Sequence, residues 1–91
     1  MDFEWDPEKD LRNQAKHGVS FEEASSVFSD PLAVTVSDPR HSEEEFRYVT
    51  TGYTSSERLI IVAHADREAR IRIITAREAK PSERRAYESE T

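Results

Sequence analysis

Leu59-Ile-Ile-Val-Ala-His64, Asp66-Arg-Glu-Ala69 and Arg70-Ile-Arg-Ile-Ile-Thr-Ala-Arg77 follow one another with only Ala65 between them, and their reading decides the fold. The first segment is apolar on both parities, which predicts a central strand covered on both faces. The second is a polar turn. The third alternates arginine with isoleucine, so a strand over residues 70–76 would carry Arg70 and Arg72 on one face and Ile71 and Ile73 on the other. Arg77 would fall on the isoleucine face of an unbroken strand, so the strand is expected to end or bulge near Ile74-Thr75. Upstream, Phe46-Arg-Tyr-Val-Thr-Thr51 reads as a strand and Gly52 to Glu57 as a turn. Three strands joined by short turns make an antiparallel meander.

Nearer the N-terminus, Leu32-Ala-Val-Thr-Val36 alternates as a half-buried strand should, and residues 37–45 read as a polar loop. Asp30-Pro31 stops a helix that begins at Ser20, where Ser20 and Glu23 make a capping box and Ala24, Val27 and Phe28 follow at helical spacing. An earlier helix is expected over about 7–17. Asp6 caps it, Pro7 suits its first position, Glu8 favours the positive first turn, and Gly18 supplies the left-handed residue that ends it. Leu11 and Ala15 give that helix a thin apolar stripe. Phe3-Glu-Trp5 suffices for a brief strand, Pro81 opens a helix through about Glu88, and residues 89–91 are expected to fray. The order β-α-α-β-β-β-β-α predicts one small α+β domain over residues 1–91, a mostly antiparallel sheet with two N-terminal helices packed on it and a C-terminal helix.

With 91 residues, 35% of them hydrophobic, the chain can close one small core. No stretch approaches the roughly 20 apolar residues of a membrane span, and Met-Asp-Phe-Glu-Trp lacks the basic start of a signal peptide. A cytoplasmic location is therefore expected. There is no cysteine to staple the fold. The net charge of −6 argues against indiscriminate nucleic-acid binding. Its distribution says more: residues 1–46 hold twelve acids against four Lys or Arg, whereas residues 64–85 hold seven Lys or Arg against four acids. That asymmetry fits an anionic ligand at one face or a basic partner at the other.

The cationic part centres on Arg72 and Arg77, the best candidates for holding phosphate, with Arg70 at the start of the strand and Arg84 joining from the terminal helix. The bland alternative is that such arginines pair with Glu78 or Glu83 and solubilise an edge. Glu83 and Tyr87 lie one turn apart, a spacing that suits a site and ordinary helix packing equally well. His64 ends the central strand, where it is a candidate acid or base or else a satisfied structural residue. His17, in the last turn of the first helix, is favoured there by the dipole alone. Three histidines scattered at 17, 41 and 64 form no ligand cluster, so no metal or other cofactor is expected. Two glycines exclude a glycine-rich phosphate loop, and no serine sits in a nucleophile elbow.

Several motifs, taken together and in order, resemble the BrnT-type toxins of bacterial type II toxin-antitoxin pairs. They are Lys16-His-Gly-Val-Ser-Phe-Glu-Glu-Ala24, Asp30-Pro-Leu32, Asp38-Pro with His41-Ser42, Gly52, Arg58-Leu-Ile, His64, Ile71-Arg-Ile-Ile-Thr-Ala-Arg77 and Glu83-Arg-x-x-Tyr87. Thr75 stands where the family motif usually has Ser and keeps the hydroxyl. The resemblance implies a RelE-like ribonuclease fold, metal-independent endoribonuclease cleavage of messenger RNA, and inhibition by a BrnA-type antitoxin. Such an antitoxin has a ribbon-helix-helix DNA-binding part, so operator DNA would be reached only through it. The resemblance also adds Lys16 and His17 to the candidates.

Cutting RNA without a metal requires a base for the 2′-hydroxyl, cationic donors for the phosphorane and a proton for the leaving 5′-oxygen. Arg72, Arg77, His64, Glu83 and Arg84 are the candidate catalytic residues, and Lys16, His17, Arg70 and Tyr87 the candidate RNA-binding ones. A second reading is a module that docks an antitoxin and co-represses transcription with weak or no nuclease activity, which the net charge favours. Under either reading a homodimer or a heterotetramer with the antitoxin is open.

Overall fold

A computed structural model describes residues 1–41 and 45–89 of the chain. The loop expected over 37–45 and the tail expected over 89–91 fall partly outside the described residues. Five strands, β1 (Asp2–Glu4), β2 (Val34–Ser37), β3 (Arg47–Tyr53), β4 (Leu59–Arg67) and β5 (Arg70–Glu78), form one sheet in the order β1-β5-β4-β3-β2. The pairs from β2 to β5 are antiparallel, and β1 adds to β5 in parallel. With helices α1 (Pro7–His17), α2 (Phe21–Ser25) and α3 (Pro81–Ser89), this is the α+β architecture and element order that the sequence predicts.

One irregularity sets the faces of the sheet. Ala63 faces Thr75 while His64 faces Ile73, so Ile74 is an extra residue on β5. A bulge of this kind resets the alternation. Arg70, Arg72, Thr75 and Arg77 therefore lie opposite Arg67, Ala65, Ala63 and Ile61 and share one face. The expected bulge is present, and the strand runs on to Glu78 instead of stopping at residue 76.

The opposite face carries the main core. Ile60, Val62, Ile73 and Ala76 pack with Val19, Phe21, Ala24 and Val27 from α2 and its flanks, all essentially inaccessible to water, and Phe3, Trp5, Phe28 and Ala33 close the margin. Burying a side chain of the larger of these contributes roughly 1.5–3 kcal/mol. Phe28 belongs to a single 3-10 turn, Ser26–Ser29, that extends α2 before Asp30-Pro31 ends it.

Helix α1 starts and stops as its sequence dictates. The Asp6 side chain accepts from the Glu8 amide at 2.9 Å, and Gly18 adopts a left-handed φ of 68°. Its packing differs from expectation: Leu11 and Ala15 are exposed, and the buried residue is Asn13. The reason is where α1 sits. β1 pairs only with residues 70–72 of β5, and beyond them α1 replaces a strand along the open edge. Asn13 Nδ2 donates to the carbonyls of Val19 and Ala76, both at 2.8 Å, and its Oδ1 accepts from the Ala76 amide at 3.2 Å. A side-chain amide thus satisfies backbone groups that burial would otherwise leave unpaired.

Two further expectations are corrected. Ser20 Oγ does accept from the Glu23 amide, at 3.0 Å, but the Glu23 carboxylate goes to Arg58 and Thr54 in place of closing the capping box. Gly52 does not begin the turn; it lies within β3, and the turn is Thr54 to Arg58 with Glu57 at a φ of 63°. A Cβ at residue 52 would lie 2.9 Å from the Ala33 Cβ and 3.0 Å from Val27 Cγ1, so close approach to the segment that leads from α2 into β2 is what requires glycine there.

Helix α3 covers one end of the second face. Tyr87 is buried, its ring meets Tyr53 edge-on at 6.0 Å, and its hydroxyl donates to the Leu32 carbonyl at 2.9 Å. Leu59, on the same face as Tyr53, is fully buried, whereas Ile61 and Ala63 stay half-exposed. The central strand is therefore covered from Ile60 to His64 on one face and, on the other, sealed at Leu59 and Ala65 with Ile61 and Ala63 half-exposed between them.

Candidate functional site

Beyond α3 the second face is a shallow trough, open over Ile61 and Ala63 and closed over Ala65, that can be read as rows across the strands. One row is Arg47, Ala65, Arg72 and Glu4; the next is Val36, Val49, Ala63 and Thr75; the third is Val34, Thr51, Ile61 and Arg77. Small and apolar residues thus separate two cationic rows. Neighbouring strands lie about 4.8 Å apart, so Arg47 and Arg72 flank Ala65 at similar spacing on either side. Asp38, Arg47, Ala63, Thr75 and Arg77 line one hollow of about 380 Å³, and Arg77, Glu83, Ala86 and Tyr87 line an adjoining one of about 360 Å³ beside α3.

Arg77 is the most fully held of the cations. Its Nη1 and Nη2 donate to the two Glu83 oxygens at 2.8 and 2.9 Å, and Nη1 also reaches the Glu78 carbonyl at 3.2 Å. The hydrogen bonds from Arg77, joined by that from the Lys80 amide, hold the Glu83 carboxyl at about 2, and Glu83 in turn raises the Arg77 pKa. Both groups are charged at neutral pH. A guanidinium has five N–H donors, so these three bonds leave Nε–H and one Nη2–H of Arg77 for another acceptor. Arg72 gives one hydrogen bond, from Nη1 to Glu4 Oε2 at 2.8 Å.

The bulge joins this trough to a second groove. Ile74 and Thr75 line both, and on the far side the groove of about 270 Å³ is bounded by Lys9, Arg12, Lys16 and His17 of α1. Lys16 and His17 are thereby brought next to the Arg77 face. His64 is not. Its ring lies on the helix-covered face, 4% exposed, edge-on to Phe28 at 4.8 Å and stacked on Tyr48 at 5.8 Å. Nε2 bonds Thr50 Oγ1 at 2.7 Å, Thr50 bonds Thr35 at 2.7 Å, and Nδ1 is buried with no hydrogen-bond partner among the described residues. Burial lowers the His64 pKa, partly opposed by Asp66, so the ring is neutral where it sits.

The other candidates fall outside the trough or hold it together. Arg70 lines a separate hollow beside Met1, Phe3 and Trp5; Arg84 and Arg72 line neither half of the trough, but Arg72 shares its face and lies across Ala65 from Arg47. Tyr87 anchors α3, and burial raises its pKa. Sequence reasoning missed Arg47, because only the pairing register sets it across from Arg72. It also passed over Arg58, whose guanidinium grips Glu23 at 2.7 and 2.9 Å, Glu78 at 2.9 Å and the Gly18 carbonyl at 2.9 Å. The sequence signal was available: Arg58 and Glu23 both lie in the ordered motifs. Among the described residues no three carboxylates or imidazoles gather as a metal-ligand set, and no helix is long and apolar enough to cross a membrane.

Residues 5–83 match the family model described as ribonuclease toxin, BrnT, of type II toxin-antitoxin system. Among solved structures, the chain is similar to the 1.1 Å crystal structure of the Brucella abortus ribonuclease toxin BrnT, with a TM-score of 0.65 and 23% identity over 88% of this chain and 97% of that one. At that identity the likeness concerns the fold. No curated protein matches the chain.

Proposed function

Because this chain belongs to the BrnT family, the ribonuclease toxins of type II toxin-antitoxin systems, we propose that it is an endoribonuclease that cuts messenger RNA at the open trough without a metal ion. The observation that carries the reading is the bulge at Ile74, which turns Arg72, Thr75 and Arg77 onto one uncovered face and joins that face to Lys16 and His17. In this mechanism Arg77 offers its two remaining N–H donors to the scissile phosphate and to the charge that grows on it as the 2′-oxygen attacks. Glu83 acts as a positioning residue that holds the guanidinium plane. Arg72 and Arg47 bind the adjoining phosphates, and Lys16 holds the strand where it crosses the bulge.

His17 moves the proton between the 2′-hydroxyl and the leaving 5′-oxygen. Support for His17 over His64 is its half-buried position at the groove; His64 is sealed beneath Phe28 on the other side of the sheet. An antitoxin of BrnA type neutralises the toxin, and operator DNA is contacted through that antitoxin's ribbon-helix-helix part.

The test is degradation of single-stranded RNA by purified protein in EDTA, together with growth arrest on expression. Arg77→Ala is expected to slow cleavage by about 10²–10³, the usual loss for one donor to a developing oxyanion. Wild-type cleavage rates in folded Arg77→Ala and His17→Ala proteins would overturn the assignment. One observation favours the second reading, a docking and co-repressor module: Arg72, Arg77 and Arg67 are all engaged by carboxylates in the isolated chain. That reading predicts growth arrest by neither wild type nor variant, with operator binding tightened by the toxin-antitoxin complex.

A further inference from the structure

Helix α1 carries a row of three cations that the core does not explain and that the helix dipole explains only at Lys16. Lys9, Arg12 and Lys16, at i, i+3 and i+7, project from one side of the helix and border the groove that meets the trough across Ile74 and Thr75. Among the described residues none of the three is ion-paired. The acidic neighbour Asp10 is turned away, accepting from the Phe21 amide at 2.9 Å and from Gln14 at 3.2 Å. The helix dipole accounts for Lys16 in the last turn but opposes Lys9 in the first, and like charges one turn apart, as at Arg12 and Lys16, repel. Three cations in succession, each one turn from the next with only Glu8 of the helix at i, i+4 to Arg12, on a chain of net charge −6, call for an external polyanion.

We infer that α1 is a track for the RNA strand flanking the cut, with backbone phosphates crossing the bulge at Lys16 and then lying along Arg12 and Lys9. The inference rests on the reading of the trough as an RNA site and extends it to two residues that lie outside the reacting centre. Seven residues at 1.5 Å rise make the row about 10 Å long, so it serves a strand that overhangs the trough by a few nucleotides. Contacts of this kind bind without reading bases, since phosphate contacts position the strand and carry no sequence information.

Binding of fluorescently labelled, uncleavable 2′-O-methyl RNA, measured by anisotropy across a salt series, tests the track. Two lost phosphate contacts at about −0.7 per contact should make the salt slope of Lys9→Gln/Arg12→Gln shallower by about 1.4 for a strand of about twelve nucleotides. Affinity for a trinucleotide, and its cleavage rate in the unmodified form, should be unchanged. Lys9→Arg/Arg12→Lys should restore the slope. An unaltered slope and affinity for the long strand would overturn the track, as would equal losses for long and short strands. The two proposals fail separately: if wild type cleaves nothing, the proposed function falls, while a salt slope that depends on Lys9 and Arg12 would still establish the track. Weakened antitoxin binding by the double variant with RNA affinity intact would assign the row to the protein partner and overturn the inference.

Discussion

The two faces of the sheet are built from alternate residues of the same strands and have opposite fates. Ile60, Val62, Ile73 and Ala76 are sealed under α2, whereas Ile61 and Ala63, their immediate neighbours, floor a trough rimmed by Arg47 and Arg77, with Arg72 across Ala65 from Arg47. Comparison of the faces separates what the molecule needs to fold from what it keeps available. The covered face is closed by helix packing, and among the described residues His64 Nδ1 is the buried side-chain polar atom there that lacks a hydrogen bond. The open face keeps apolar area in water and cations beside it, an arrangement that stability alone does not explain.

Large-to-small substitution should break the symmetry most strongly. Phe21→Ala is expected to lose about 3–5 kcal/mol and Ile61→Ala roughly 1 kcal/mol or less, measured by urea unfolding. Equal losses would mean that the trough is part of the core. Asn13→Ala should follow, at about 3 kcal/mol, because it strands the Ala76 amide and the Ala76 and Val19 carbonyls. Its particular signature is faster hydrogen exchange at the Ala76 amide, with α1 otherwise intact.

The smallest effect concerns pH. Burial holds the folded His64 pKa below its ordinary value of 6.5, so the unfolded chain takes up the proton first. This contribution to stability is complete above 6.5 and is lost as pH falls below it, at up to about 1.4 kcal/mol per pH unit. Glu23, Asp30 and Glu83 have lowered pKa values and act in a separate window: their stabilisation is present above the ordinary carboxylate range and is lost as pH falls through it. His64→Gln should flatten unfolding free energy between pH 6.5 and the carboxylate range while leaving the acid limb in place. An unchanged slope there would show that His64 is not sealed.

Much of this was legible along the chain. Caps such as Asp6 and Gly18, the Asp30-Pro31 stop and the apolar alternation are local signals, and each has its physical effect within a few residues. The bulge was legible too, from the parity conflict between Arg72 and Arg77. Three features were not. Leu11 and Ala15 looked like a core stripe because helix periodicity does not reveal that α1 lies against a strand edge, where an amide is worth more than a methyl. Arg47 could not be joined to Arg72, since that needs the register of two strand pairs. His64 looked like a candidate because a strand end is where function gathers, but the face it projects from follows from pairing across three strands.

By itself, then, the sequence determined the elements, their order and their limits, because capping, turn chemistry and side-chain alternation act over short separations. Only the tertiary structure decided which cations share a face. Residues as far apart as Lys16, Arg47, Arg77 and Glu83 come to line adjoining hollows through strand register, one bulge and the docking of α1 and α3, and these depend on packing between segments that carry no mark of one another in the chain.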